Sequence, residues 1–385
     1  MITLLKDAIP VTCGGKAATL ATLLRHGIPA PDGFVVPFAA FRAASESTVD
    51  ISEVLSSEVT ECLAALGDPP VAVRSSAANE DGADASAAGQ YESVLGVRGT
   101  HQVIEAIRTC QRSASAARVA GYWEHVNASS ETAMAVLVQR LVDAEVSGVM
   151  FTPAEPGQRT RIEASWGLGP SVVEGTVTPD TYEVGTDGSI TSAIADKPTR
   201  LDRDDTGIAS SPVPQHQRTR PALSADTIAA LASLGLAIAA ILGAPQDIEW
   251  AVSGDRLWIL QARPITAPVP ALRTRTPATG LSGTPGSHGT ATGPARLLRG
   301  PADFPRAATG DIIVCPYTDP AWTPLFRVAA GVITETGGTL SHAAIVAREH
   351  GIPAVLGIPN ATNKIREGEI VTVNGTTGTV ITAHR

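Results

Sequence analysis

Residues 334–353, TETGGTLSHAAIVAREHGIP, admit few backbone solutions. Gly337 and Gly338 permit a tight turn and close approach of another chain segment. Thr339 or Ser341 can cap the helix that follows. Ala343 to Glu349 are good helix formers, and Gly351 and Pro353 end the run. The pattern therefore predicts a glycine turn, then a short helix with His342 at its start. An imidazole there sits beside backbone N–H groups that lack helical partners and near the positive end of the helix dipole, a setting that favours phosphate. Neutral imidazole is also a nucleophile. The chemistry expected of this segment is a histidine that carries a phosphoryl group. A lone histidine at a helix start is more often a structural group, so the rest of the chain has to support this reading.

A chain of 385 residues suits two domains, each able to bury a core. The compositional break falls at residues 264–285, PITAPVPALRTRTPATGLSGTP, where proline, threonine and glycine dominate. Such a stretch is extended and semi-stiff, and reads as a linker. The expected division is 1–266, a linker at 267–282, and 283–385. Arg200 to Asp226 reads as a long polar surface loop. The net charge of −9 argues against a nucleic-acid surface. The four cysteines form no Cys-x-x-Cys pair and read as reduced thiols. The first residues show no signal-peptide pattern, so a cytoplasmic location is expected. The uncharged run 227–246 is long enough to cross a bilayer, but its alanine content, Gly235, Gly243 and Pro245 favour a buried or interface-forming helix, and no membrane partner is expected.

Several segments of the first part carry polar groups in unusual places. Gly14-Gly-Lys16 precedes a helical pattern containing Leu20, Leu23 and Leu24, but lacks the spacing of a Walker loop. Arg74 lies in a short apolar strand, where an arginine needs an anion. Residues 85–93, ASAAGQYES, form a small-residue loop whose free backbone suits a lid over phosphates. Residues 134–142 read as a strand that turns polar at Gln139, and with residues 147–152 could make a hinge whose backbone edge reads adenine. Residues 246–264 read as a hairpin around Ser253-Gly-Asp-Arg256. Alternation puts Ile248, Trp250 and Val252 on one face, and Trp258, Leu260 and Ala262 out of phase with Gln261 and Arg263. If the register sets Glu249 opposite Gln261, a carboxylate, an amide oxygen and a guanidinium share a polar face suited to Mg²⁺ and phosphate.

These pieces resemble the phosphoenolpyruvate-utilising dikinase family, which includes phosphoenolpyruvate synthase, pyruvate phosphate dikinase and rifampicin phosphotransferase. The strongest segments are VRSSAANED, ASAAGQYES, IEASWGLGPSVVEGTVTPDTYEV, DIEWAVSGDRLWILQARPIT and, in the second part, DIIVCPYTDPAWTPLF through Gly357. The resemblance implies an α/β (α+β) chain, with an N-terminal ATP-grasp domain and a C-terminal swivelling β/β/α phosphohistidine domain. It implies ATP and Mg²⁺. Lys16, Arg74, Gly89 and Gln90 would serve the nucleotide phosphates, and Gln139 the adenine hinge. Glu249 and Gln261 would hold the metal, Arg263 the transferring group, and His342, with Thr334 nearby, would be phosphorylated. The relatives transfer the β-phosphoryl of ATP and release AMP, with water or phosphate taking the remaining group.

The second part departs from the family in two places. Ser341 stands where synthase-type motifs have cysteine, and His288, taken as structural, stands where relatives often have proline. The pyruvate barrel and the antibiotic-binding domain of relatives have no counterpart in this sequence. The expected acceptor is therefore a small molecule, bound here or on a partner protein. A component of a split phosphoenolpyruvate synthase, a ligase using phosphoryl activation, and a non-catalytic ATP-binding protein are the alternatives.

Overall fold

Alternation of β-branched residues with small or polar ones builds the first half around a sheet buried on both faces. The computed structural model describes residues 2–41, 51–78, 92–113, 133–204, 207–265 and 280–382. Its contacts group into two units that do not follow chain order. The first comprises Met1–Val146, Leu201–Ser211 and Ala230–Ile265; the second comprises Ser147–Arg200, Pro212–Ala229 and Thr266–Arg385.

In the first unit, β1 (Thr3–Leu4), β2 (Gly33–Val36), β3 (Val71–Ala77), β4 (Ser93–Val97) and β5 (Met134–Arg140) form one antiparallel sheet in the order β1-β2-β5-β3-β4. Period-two alternation divides its side chains. Val35, Ala135 and Leu137 pack against Ala17, Leu20 and Ala21 of α1 (Pro10–Arg25). Phe34, Val36, Val71, Val73, Val136 and Val138 pack against α2 (Ile51–Ala65) and α3 (Thr100–Ser113). Helix α1 is broken at Gly14, whose φ of 78° is left-handed. A Cβ there would lie 2.2 Å from the Ser76 carbonyl oxygen, so the close approach requires glycine. The helix restarts at once, with Lys16 in its first turn, as the sequence pattern predicts.

The hairpin is formed by β12 (Gln246–Ser253) and β13 (Arg256–Pro264), joined at Gly254 and Asp255. Glu249 pairs with Gln261, the register on which a shared polar face depends. The simple alternation of β13 does not hold. A bulge after Glu249 leaves Leu260 unopposed and sets Ile259, rather than Leu260, against Trp250, with both Ile259 and Trp250 fully buried. The expected loop at Arg200–Asp226 is also corrected. It contains β10 (Thr199–Asp204) and β11 (Gly207–Pro212), paired as a ribbon, and a helical turn at Gln215–Arg218. Its charges serve as fixed partners: Arg203 forks onto Asp143 at 2.8 Å through both nitrogens.

The uncharged run folds as α4 (Ala225–Leu242), buried along Ile228, Leu231, Ala232, Gly235 and Ile238 and exposed along Ala229, Ala230, Ser233, Leu236 and Ala237. Length and composition alone would let it cross a membrane.

The second unit contains β6 (Val146–Phe151), β7 (Thr160–Trp166), β8 (Asp180–Val184) and β9 (Ile190–Ala193), neighbours in that order. It also contains an eight-stranded sheet of β14 (Leu281–Ser282), β15 (Thr284–Ser287), β16 (Thr290–Leu297), β17 (Ile312–Cys315), β18 (Gly331–Thr334), β19 (Ala354–Leu356), β20 (Ile370–Asn374) and β21 (Thr379–Thr382). The order is β14-β21-β20-β16-β17-β18-β19-β15, with β16 to β19 parallel. Helix α5 (His342–Glu349) connects β18 to β19. Ala343, Ala344, Val346 and Ala347 of α5 bury against Trp322, Leu325 and Phe326 of the 3-10 turn Pro320–Arg327. On the other side, Val314, Ile333 and Val355 pack on Ile358, Val371, Val373 and Val380. Both faces of the parallel strands are covered, as parallel sheets require. The last turn of β18 and the first turn of α5 thus stand on a fully packed base.

Candidate active site

Two clusters carry the polar groups, one in each unit. In the first, Ser76 ties the Lys16 turn to β3. Its Oγ donates to the Cys13 carbonyl at 2.7 Å and accepts from Ala17 N at 3.2 Å. Arg74 lies two residues along the same strand and on the same face. Its Nη1 is 3.5 Å from Glu249 Oε2 and from the Leu260 carbonyl oxygen, both long contacts. The Arg74 Nε is buried with no hydrogen-bond partner among the described residues. Burying such a donor is costly unless an acceptor arrives. Arg74 is thus brought to Glu249, which pairs in register with Gln261.

Arg263 is engaged by the residue opposite it. Its Nε donates to Asp247 Oδ2 at 2.9 Å, and Nη2 lies 2.8 Å from the same oxygen. Asp247 was not among the expected site residues, although its place two residues before Glu249 puts it on the same hairpin face. Gln139 is set deep in the sheet, 2% exposed, with Gly33 and Ala72 as its backbone neighbours on the two sides. Its Nε2 donates to the Pro31 carbonyl at 3.1 Å. It braces the sheet from within rather than lining an open edge. Gly89 and Gln90 lie outside the described residues, as does most of the linker.

A hard cation takes oxygen ligands, and Mg²⁺ commonly uses one or two carboxylates together with substrate phosphates and water. The paired Glu249 carboxylate and Gln261 amide fit that chemistry. No group of three or more His, Cys, Asp or Glu able to hold a metal occurs among the described residues. The donor set thus suits a metal that arrives with a phosphate ligand better than one held by protein alone.

In the second unit, His342 is the first residue of α5 and is 5% exposed. Its Nδ1 is 2.8 Å from Thr318 Oγ1, and its Nε2 is 3.5 Å from Thr323 Oγ1. The Phe326 ring meets the imidazole edge-on at a centroid distance of 6.3 Å. Thr318 and Thr323 lie in the PYTDPAWTPLF segment and were assigned no role from the sequence. Thr334 is fully buried and donates to the Thr336 carbonyl. It shapes the turn below His342.

The glycine turn is not the open anion cradle its sequence suggests. Thr339 N and Thr339 Oγ1 donate to Glu163 Oε1, each at 2.7 Å, and Leu340 N donates to Glu163 Oε2 at 3.1 Å. Glu163, on β7, is fully buried. Gly338 makes room for it: a Cβ at that position would lie 2.2 Å from Glu163 Oε2. Burial raises the Glu163 carboxyl above the usual range, and the Thr339 and Leu340 donors and Arg161 oppose that shift without cancelling it. Both oxygens accept hydrogen bonds, an arrangement that the carboxylate satisfies in full. Ser341 occupies the N-cap position but does not cap through its side chain; its hydroxyl donates back to the Gly338 carbonyl at 2.8 Å.

Comparison with known proteins identifies both regions of the chain. Residues 45–277 match the pyruvate phosphate dikinase AMP/ATP-binding domain, and residues 307–378 match the mobile domain of PEP-utilising enzymes. A probable phosphoenolpyruvate synthase of Methanothermobacter thermautotrophicus is 36% identical over 97% of this chain and 62% of its own length. Its counterparts in Archaeoglobus fulgidus and Pyrococcus furiosus are 35% and 33% identical over 97% of this chain, and 57% of each is covered. The chain thus spans less than two thirds of the length of these relatives. With one family description covering more than half of its residues and a second covering the histidine segment, the chain belongs to the phosphoenolpyruvate synthase and pyruvate phosphate dikinase family, joining an AMP/ATP-binding domain to a PEP-utiliser mobile domain.

Proposed function

We propose that this chain is an AMP-forming phosphotransferase that takes phosphoryl from ATP onto His342 and passes it to a small-molecule acceptor. The observation that most supports this reading is the fixed imidazole at the start of α5. Thr318 engages Nδ1 at 2.8 Å, whereas the Nε2 contact is at the limit of a hydrogen bond. With Nδ1–H donating to Thr318, Nε2 keeps its lone pair and is the nucleophile. It forms the N–P bond to the β-phosphorus, and the bond from that phosphorus to the oxygen bridging to the α-phosphate breaks, releasing AMP. The γ-phosphoryl then leaves to water or inorganic phosphate.

At the ATP end, Lys16 and Arg74 supply positive charge, and the Arg74 Nε, without a partner among the described residues, acquires an acceptor when phosphate binds. Glu249 and Gln261 would hold Mg²⁺, which neutralises charge on the phosphates. Arg263, oriented by Asp247, faces the transferring group. The relatives are named for phosphoenolpyruvate synthesis, which supports a second reading in which that compound is the product, alone or with a partner protein.

ATP labelled at the β or the γ phosphorus tests the proposal. Acid-labile, base-stable label from the β position, with AMP formed and no label in His342→Ala, is the expected result. No label and no AMP, with Mg²⁺ and with or without phosphate, would sink it. Product analysis with pyruvate present separates the two acceptor readings.

A further inference from the structure

The phosphohistidine reading leaves Glu163 unexplained. It is a fully buried carboxylate on β7, outside both clusters expected from the sequence. It takes the two backbone N–H groups and one hydroxyl that precede His342. Beside it, Arg161 donates from Nη1 to Thr339 Oγ1 at 3.3 Å and from Nη2 to Glu183 Oε1 at 2.7 Å. The 161 and 163 side chains share one face of β7 by alternation, and both end on the Thr339 turn. Two further contacts join the same segments: Thr336 Oγ1 donates to the Gly175 carbonyl at 2.6 Å, and Gly337 N donates to the Val177 carbonyl at 3.2 Å. Residues 161–177 fall within the stretch matched by the nucleotide-binding description, and residues 336–340 within that of the mobile domain.

We propose that Glu163 is a positioning residue, an internal anion that docks the His342 turn for phosphorylation and is displaced from it once His342 carries phosphate. The proposal rests on the phosphohistidine reading. Its physical basis is competition for one site. A helix start offers a few N–H groups and a positive dipole end, and here a carboxylate already holds two of those groups. A phosphoryl group on His342, three residues along the same turn, adds close to two negative charges within a Debye length of Glu163. Two anions at one helix start repel, and the phosphorylated turn is driven away from β7. The unphosphorylated turn is held there by three hydrogen bonds to a charged acceptor, each stronger than a neutral bond.

The test combines kinetics with amide exchange in the full chain. Glu163→Ala should slow β-labelling of His342 at least tenfold with the KM for ATP unchanged. Glu163→Gln, which retains one acceptor oxygen, should recover part of that rate. Gly338→Ala, which puts a methyl group into the carboxylate, approaches the same contact from the other side and should behave like Glu163→Ala. In the unphosphorylated wild type, the Thr339 and Leu340 amides should exchange slowly. They should exchange at least tenfold faster after phosphorylation, and in unphosphorylated Glu163→Ala. Normal labelling in both Glu163 variants, or the same protection at Thr339 and Leu340 with and without phosphate, would overturn the proposal while leaving the phosphotransferase reading intact. Failure of the wild type itself to take label would instead overturn the reading on which the proposal rests.

Discussion

At the scale of single residues, the imidazole of His342 is useful only if one nitrogen faces the phosphorus with its lone pair exposed. Thr318 sets that condition through one hydrogen bond at 2.8 Å, and the buried setting removes water as a substitute partner. Thr318→Val keeps the shape and removes the hydroxyl. A hydrogen bond of this kind is worth about 1 kcal/mol net, and removing one member of a buried pair costs about 1–3 kcal/mol. The expected outcome is a fall of about tenfold or more in the rate of β-labelling, with the KM for ATP little changed, read by rapid quench. Equal rates in the variant and wild type would remove Thr318 from the mechanism. The thiol nearest this segment in sequence plays no part at this scale. Cys315 is buried, and its thiol is pushed up by burial and by the nearby Glu335 carboxylate, so it is not a nucleophile at neutral pH.

At the scale of elements, legibility depended on how far apart the partners lie in sequence. The hairpin could be read because a two-residue turn and alternation on both arms determine it locally, although that turn by itself would set Glu249 opposite Leu260 and only the bulge brings Gln261 there. The bulge at Leu260 could not, since a bulge adds one residue without altering composition. The helix start at His342 was legible from its glycines and alanines, whereas the occupant of the turn was not, because Glu163 and Thr339 are 176 positions apart. The same holds for the most deeply buried ion pair among the described residues. Lys197 and Asp180 are both 0% exposed; Nζ donates to Oδ1 at 2.6 Å and to the Ala195 carbonyl at 3.0 Å. Asp180 also accepts from Ala195 N, Ala222 N and the Tyr182 hydroxyl, joining β8 to two separate chain segments. Lys197→Met would leave that carboxylate buried without its counter-ion, at a cost of about 3–5 kcal/mol. The pairing also predicts that Asp180→Asn combined with Lys197→Met costs less than the sum of the two single changes. Urea unfolding of the four proteins measures this, and strict additivity would show that the pair is not coupled.

At the scale of the whole molecule, the proposed reaction uses two clusters, one built on β3 and the β12–β13 hairpin and one built on β7 and α5. The first cluster is assembled for its ligand rather than against it. Arg74 and Glu249 meet only at 3.5 Å, the Arg74 Nε is buried with no partner among the described residues, and the Glu249 carboxylate and Gln261 amide lie opposite one another. Such a site gains interactions when nucleotide and cation enter, so binding should show as stability. A ligand at a hundred times its Kd adds about 2.7 kcal/mol to the state that binds it. Mg²⁺ with a non-hydrolysable ATP analogue should therefore raise the melting temperature by several degrees. EDTA should remove most of that increment without changing the melting temperature of the free protein, since among the described residues no cluster of ligands holds a metal by itself. Glu249→Gln keeps an oxygen but loses the charge. It should melt near the wild type when free, because its pairing with Arg74 is long and partly exposed and is worth little. It should nevertheless lose the Mg²⁺-dependent part of the shift. Scanning fluorimetry of wild type and variant, with and without cation, separates the cases. A full Mg²⁺-dependent shift in Glu249→Gln would place the cation elsewhere, and no shift in the wild type would mean that the first unit does not bind nucleotide in the way its hairpin implies.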